Sequence, residues 1–176
     1  MKKQVRRPII IKEGVAYVPL TKGYTAVIDA EDVGLIEQHN WYAAEERRKD
    51  GTLEVVYARR NGRLPSGKRI TVLMHKCIKN LPEFNIDHKD CNGLNNRKNN
   101  LRPATRSQNM HNQGLRINNK TGFKGVTFYA PNKKFLAKIT VRREQKHLGY
   151  FDTKEEAAKS YAEASKKYHG EFGRLG

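Results

Sequence analysis

The chain has 176 residues, with 35 Lys and Arg against 18 Asp and Glu, a net charge of +17. A surplus of this size raises the local concentration of polyanions and points to nucleic acid, the plainer alternative being a ribosome-associated protein or an unusually soluble basic domain. Two cysteines, Cys77 and Cys91, cannot complete a four-ligand zinc site and do not make a disulfide framework, which fits a reducing, cytoplasmic setting. No apolar run is long enough to span a bilayer, so no membrane association is expected. The opening MKKQVRR lacks the apolar stretch of an export signal and reads as a short basic arm.

In chain order, residues 15–28 read as two short strands around the Lys22-Gly23 turn. Residues 30–39 have helical spacing at Val33 and Ile36, with Asp29, Glu31 and Asp32 at the end where carboxylates suit the helix dipole. Trp41 and Tyr42 open an extended stretch that returns through Lys49-Asp50-Gly51 into residues 53–60, a hairpin signal. Pro65-Ser66-Gly67 turns the chain into a strand over 70–74. The N-terminal part is therefore expected to be an antiparallel scaffold.

Residues 84–113 are dense in Asn, Asp, Arg and His and poor in apolar side chains, and a segment this long without a core is usually functional or disordered. It is expected to form a strand over 84–88, a turn-rich loop, a strand over 101–104, and a short helix over 106–113 with Thr105 as N-cap. Hydrolysis of a phosphodiester needs a base for water, and His titrates in the right range. It also calls for hard oxygen donors for a divalent cation, which Asp and Asn provide. Adjacent side chains diverge on a strand, so Asp87 can face an ion while His88 faces water. A single Asp-His pair would more often be structural, and clustered asparagines usually mark turns.

Residues 114–121 read as a linker. Beyond it, residues 122–129, 134–142 and 146–151 read as three strands. Phe135, Ala137, Ile139 and Val141 alternate with Leu136, Lys138, Thr140 and Arg142, giving one apolar and one largely basic face. Thr153 and Glu156 form a capping-box signature before a helix that carries Ala157, Tyr161, Ala164 and Tyr168 on one side and ends at His169-Gly170. That helix is expected to cover the apolar face of the sheet, with Phe123, Val126, Phe128, Phe135, Ile139 and Tyr161 in the core.

The order Asp87-His88-Lys89-Asp90, Asn92-Gly93-Leu94-Asn95-Asn96, Asn100-Leu101-Arg102 and Ser107-Gln108-Asn109 resembles the HNH endonucleases, also called ββα-metal nucleases, in the subgroup found in phage and intron homing endonucleases. The resemblance spans roughly residues 70–113. It implies His88 as general base, Asn100 as the residue that orients it through a hydrogen bond, and Asp87 and Asn109 as ligands of one divalent ion, Mg2+ or Mn2+, with Asn at 109 where many relatives have His. Cys91 stands where small residues are usual and suggests no thiol chemistry; His75 matches an upstream His of the subgroup, and it and His111 read as structural or phosphate-touching.

The C-terminal segment resembles the DNA-binding domain of plant APETALA2 and ethylene-response factors. It does so at Gly122-Phe123-Lys124-Gly125-Val126, at Lys134-Phe135-Leu136-Ala137-Lys138-Ile139, and from Leu148-Gly149-Tyr150-Phe151-Asp152-Thr153 to Tyr161, ending Tyr168-His169-Gly170-Glu171-Phe172. In that family the sheet lies in the DNA major groove. Carried over by position, Lys124, Thr127, Tyr129, Lys138, Thr140, Arg142 and His147 are expected to meet DNA.

The combined expectation is an α+β protein: N-terminal antiparallel strands leading into a ββα-metal HNH nuclease (residues 1–113), a linker (114–121), and a three-stranded sheet packed on one helix (122–176). It would be a cytoplasmic, monomeric, metal-dependent endonuclease of double-stranded DNA with no protein partner implied, and one HNH centre per chain would nick rather than cut both strands. The alternatives are a non-cleaving DNA-binding regulator and an RNA-binding structural protein.

Overall fold

The computed structural model describes residues 7–81, 83–115 and 118–175; most of the basic N-terminal arm lies outside these. The chain divides into two compact units, Met1–Ala104 and Thr105–Gly176.

Among the described residues, the first unit holds eight strands. β1 (Ile10–Lys12), β2 (Val15–Pro19) and β3 (Thr25–Asp29) form one antiparallel sheet; β4 (Tyr42–Arg47), β5 (Leu53–Arg63) and β6 (Arg69–Leu73) form another; β7 (Asn85–His88) and β8 (Leu101–Ala104) make a separate antiparallel pair. The expected turns at Lys22-Gly23, Lys49-Asp50-Gly51 and Pro65-Ser66-Gly67 all fall between strands. One core unites the sheets. Ala16, Val18, Ala26 and Ile28 of the first sheet meet Ala43, Val56 and Ala58 of the second, together with Ile86 and Leu101 of the pair. Trp41 is buried there and donates its indole N–H to the Ile36 carbonyl at 2.9 Å, so its one polar group is satisfied.

Two helices of this unit differ from the sequence reading. The helix expected over 30–39 shrinks to a 3-10 turn at Ala30–Asp32 and one α turn, α1 (Val33–Ile36). Asp32 makes no side-chain cap here; its carboxylate pairs with Lys98 at 2.8 Å instead, and only Ile36 is fully buried. The strand expected to run through Met74 ends at Leu73, and Met74 begins α2 (Met74–Lys79), which Asn80 closes in the left-handed conformation. Met74 and Ile78, four apart, face the core. This helix was masked by its β-like lead-in, Ile70–Leu73.

The second unit opens with α3 (Arg106–Asn112), whose N-terminus carries a full capping box: the Thr105 hydroxyl accepts from the Gln108 N–H, and the Gln108 side chain accepts from the Thr105 N–H. Then come β9 (Val126–Tyr129), β10 (Lys134–Val141) and β11 (Glu144–Phe151), antiparallel in the order β11-β10-β9, and α4 (Lys154–His169) with its own capping box at Thr153 and Glu156. α4 lays Ala157, Tyr161 and Ala164 against Val126, Ala137 and Ile139. Gly125 is required there: at φ +73, a Cβ would stand 2.1 Å from the Tyr161 ring. Phe128 departs from the core expectation. It packs edge-on against Phe135 but is 51% exposed on the edge strand β9.

Candidate active site

β7 and β8 pair in the register Asp87 opposite Arg102 and His88 opposite Leu101. Asp87 and Arg102 are both buried and form an ion pair in which the Arg102 Nε and a terminal nitrogen both donate to Oδ2 of Asp87, at 2.9 and 2.8 Å. A carboxylate held this way is oriented at a depth where an unpaired one would be costly.

His88 is 5% exposed. Its ring stands edge-on to that of His75 at 4.9 Å and tilted to that of Tyr57 at 5.9 Å. Burial lowers its pKa below the ordinary histidine range, although the Asn96 side chain and the carboxylates of Asp90 and Asp87 pull the other way. His75 is lowered further, to about 3, by burial first and then by His88, Lys76 and Arg59. Both imidazoles are therefore neutral at pH 7, and a neutral His88 is competent to accept a proton.

The loop between β7 and β8 is bound together by its own asparagines and aspartate. Asn100 donates to the Asp90 carboxylate at 2.9 Å and to the Asn95 carbonyl at 2.8 Å, and its Oδ1 accepts from the Asp90 N–H at 3.1 Å. Asp90 also accepts from the Asn92 N–H and the Asn95 amide. Burial alone would raise the Asp90 pKa, but these donors outweigh it and hold the carboxyl below its usual range. Gly93 lets the loop lie on β5: a Cβ there would stand 2.5 Å from the Val56 carbonyl oxygen and 2.6 Å from the Tyr57 ring.

Asn100 was expected to bond the His88 ring; the hydrogen bonds of its side chain go to Asp90 and Asn95, so it acts on the loop. Asn96 reaches the ring, with Oδ1 3.4 Å from Nε2. Sequence reading missed it because it is one asparagine among several in the loop. Its signal is complete burial, rare for an amide. Asn109, the other expected ligand, lies on α3 in the second unit.

Among the described residues, no three His, Cys, Asp or Glu side chains are grouped to hold a metal. Asp87 offers a carboxylate oxygen, the donor type a hard divalent cation takes alongside water and phosphate.

On the sheet of the second unit, Thr127, Tyr129, Thr140 and His147 are exposed and Lys138 half-buried. Lys138 lies opposite His147, where the β10–β11 register shifts. Rings of His147, Tyr150 and Tyr129 follow one another at 4.8 and 5.3 Å; Tyr150 was not among the expected contacts. Two expected contacts sit elsewhere. Arg142 is in the two-residue turn after β10, where both it and Arg143 have positive φ. Lys124 precedes β9, and its ammonium donates to the carbonyls of His111 and Gln113 at 2.5 and 2.7 Å.

Residues 54–111 match the family model of the HNH endonucleases. The matched HNH segment runs from within β5 to within α3 and includes Asp87, His88, Asn96, Asn100 and Asn109. It supports a nuclease acting on DNA, and HNH nucleases in general use a divalent metal ion. No curated protein and no solved structure matches the chain. No helix among the described residues is long and apolar enough to cross a membrane.

Proposed function

We propose that the protein is a metal-dependent endonuclease of double-stranded DNA, of the homing-endonuclease type, that nicks one strand per engagement. The observation that carries this is the pairing of a buried, neutral His88 with a buried Asp87 beside it, held by Arg102, inside the segment that matches the HNH family.

In this reading His88 takes a proton from water as the water oxygen attacks phosphorus. Asp87 presents a carboxylate already oriented by Arg102, and Asn109 supplies a second oxygen. Together they would hold Mg2+ or Mn2+, which when bound offsets charge on the phosphate and on the departing 3′ oxygen. Asn100 keeps the loop closed around the base. The three-stranded sheet of the second unit resembles the APETALA2-type domain and would position the nuclease through Thr127, Tyr129, Lys138, Thr140 and His147, with Lys124 and Arg142 at its margins. The protein would act as a monomer in the cytoplasm of its host cell, as a phage- or intron-type enzyme does.

End-labelled duplex DNA, incubated with Mg2+, with Mn2+ and with chelator, tests the reading. Cleavage leaving 5′-phosphate ends, dependent on either metal and absent on duplex RNA, is expected. Tight binding of DNA with no cleavage under any metal favours the regulator; equal preference for RNA favours the structural RNA-binding protein.

A further inference from the structure

α3 cannot stand alone. It is seven residues long, Arg106–Asn112, shorter than a helix that persists in water on its own propensity. Its N-terminus is closed by its own capping box, but its C-terminal end is held by residues much later in the chain. The Lys124 ammonium donates to the carbonyls of His111 and Gln113, where the last carbonyls of a helix have no partner within it. The His111 ring lies face-on to the His169 ring, with centroids 3.7 Å apart and planes 13° from parallel.

His169 is itself anchored. It is the last residue of α4, and its Nε2 lies 3.0 Å from the Thr140 carbonyl oxygen of β10. A carbonyl oxygen only accepts, so the ring donates. The imidazole is thus bonded to the sheet at its edge and offers a face to α3. Both holds on the end of α3 come from the sheet-and-helix unit that follows it, one from the chain entering β9 and the other from the end of α4. α3 groups with that unit, Thr105–Gly176, although the matched HNH segment runs into it as far as His111. Asn109 stands on the same helix, two residues before His111.

We propose that His111 and His169 form a clasp that holds α3 on the C-terminal unit and, through α3, positions Asn109. The C-terminal unit is then a structural part of the nuclease and not only a module that carries it to DNA. The consequence for Asn109 as a ligand rests on the nuclease reading above; the clasp itself does not. Both histidines are positioning residues, acting through the helix rather than on the ion or the DNA. A stacked aromatic pair shifts an opening equilibrium by about fivefold. Without the clasp the ligand-bearing helix is in place for a smaller share of the time, and the apparent need for metal rises by no more than the factor by which α3 opens.

The test is amide hydrogen exchange of the full chain, without metal or DNA, read at residues 109–112 with the β10 amides as the reference for global unfolding. His111→Ala and His169→Ala should each speed exchange in α3 by about fivefold and leave β10 protected. The double variant should open α3 no further than the faster single one, because both remove the same contact. His111→Phe, which keeps a ring on His169, should restore the wild-type rate. If His169→Ala does not fold, His111→Ala and His111→Phe carry the test alone. In nicking assays the Mg2+ concentration for half-maximal rate should rise in His111→Ala and return in His111→Phe, with the rate at saturating Mg2+ nearly unchanged. Unaltered α3 exchange in His111→Ala, or single effects that add in the double variant, overturns the clasp. Faster exchange with an unaltered Mg2+ requirement overturns the positioning of Asn109. A wild type that shows the exchange pattern and never nicks DNA leaves the clasp standing and traces the failure to the nuclease reading.

Discussion

Asp87 and His88 are neighbours with opposite needs, one a buried charge and the other a buried neutral ring, and separate partners meet each need. Arg102 answers for Asp87. Arg102→Leu leaves that carboxylate buried without its cation, and a broken buried pair costs about 3–5 kcal/mol; urea unfolding at pH 7 should show a loss of this order. His75 and Tyr57 wall in His88. His75 has a folded pKa of about 3 against an ordinary 6.5, so as pH falls through 6.5 the unfolded chain takes up a proton that the folded chain refuses. Stability is therefore fully present above pH 6.5 and is lost as pH falls toward 3, at up to about 1.4 kcal/mol per pH unit for this one group. His88 is shifted in the same direction and adds to the slope. Chemical unfolding across pH 7 to 5 measures it, and His75→Phe should flatten the His75 part.

Two elements depend on single local features. α3 is seven residues long, too short to persist on propensity alone, and its capping box is what defines its start. Thr105→Ala removes a cap of about 1 kcal/mol, visible as a lower unfolding midpoint and faster amide exchange in residues 106–109. The β7–β8 loop depends on the absence of a side chain at Gly93. Gly93→Ala places a methyl against the Val56 carbonyl and the Tyr57 ring, and overpacking of this kind costs about 1–3 kcal/mol; a loss of stability together with displaced Tyr57 resonances is the expected outcome. This scale also marks where sequence reading succeeded and failed. The N-cap at Thr105, the capping box at Thr153 and the strand limits at Leu101–Ala104 were legible, because each is written in nearby residues. α2 and the shortened α1 were not: Asp32 pairs with Lys98 and caps no helix, and core packing recruits Met74 and Ile78. Both effects come from residues distant in the chain.

At the scale of the molecule, the positive charge is spread over both units, so non-specific attraction to a polyanion should be strong and should weaken steeply with salt. Removing one phosphate-facing cation should reduce the salt slope by about one unit without altering sequence preference, whereas removing a base-reading side chain should do the reverse. Lys138→Gln, measured by fluorescence anisotropy on duplex DNA between 50 and 200 mM salt, distinguishes these for the exposed sheet; an unchanged affinity and slope would remove that sheet from the DNA interface. The order of Asp87, His88, Asn100 and Asn109 was legible as an HNH-like pattern, and residues 54–111 match the HNH family model. The role of β3 in holding the β7–β8 loop was not legible, because Val27 and Asp29 act through backbone and ion-pair contacts to a loop about 70 positions later.

The central claim, that this fold performs hydrolysis and not only binding, is met most directly by the rate of plasmid nicking at matched occupancy. Supercoiled DNA is held with equal bound fractions of wild type and His88→Ala, and Mg2+ or Mn2+ is added. Conversion to the open circle by the wild type, with loss of at least a hundredfold in His88→Ala, is the predicted result. Equal rates in the two proteins, or no metal-dependent nicking by a wild type that demonstrably occupies the DNA, would contradict it.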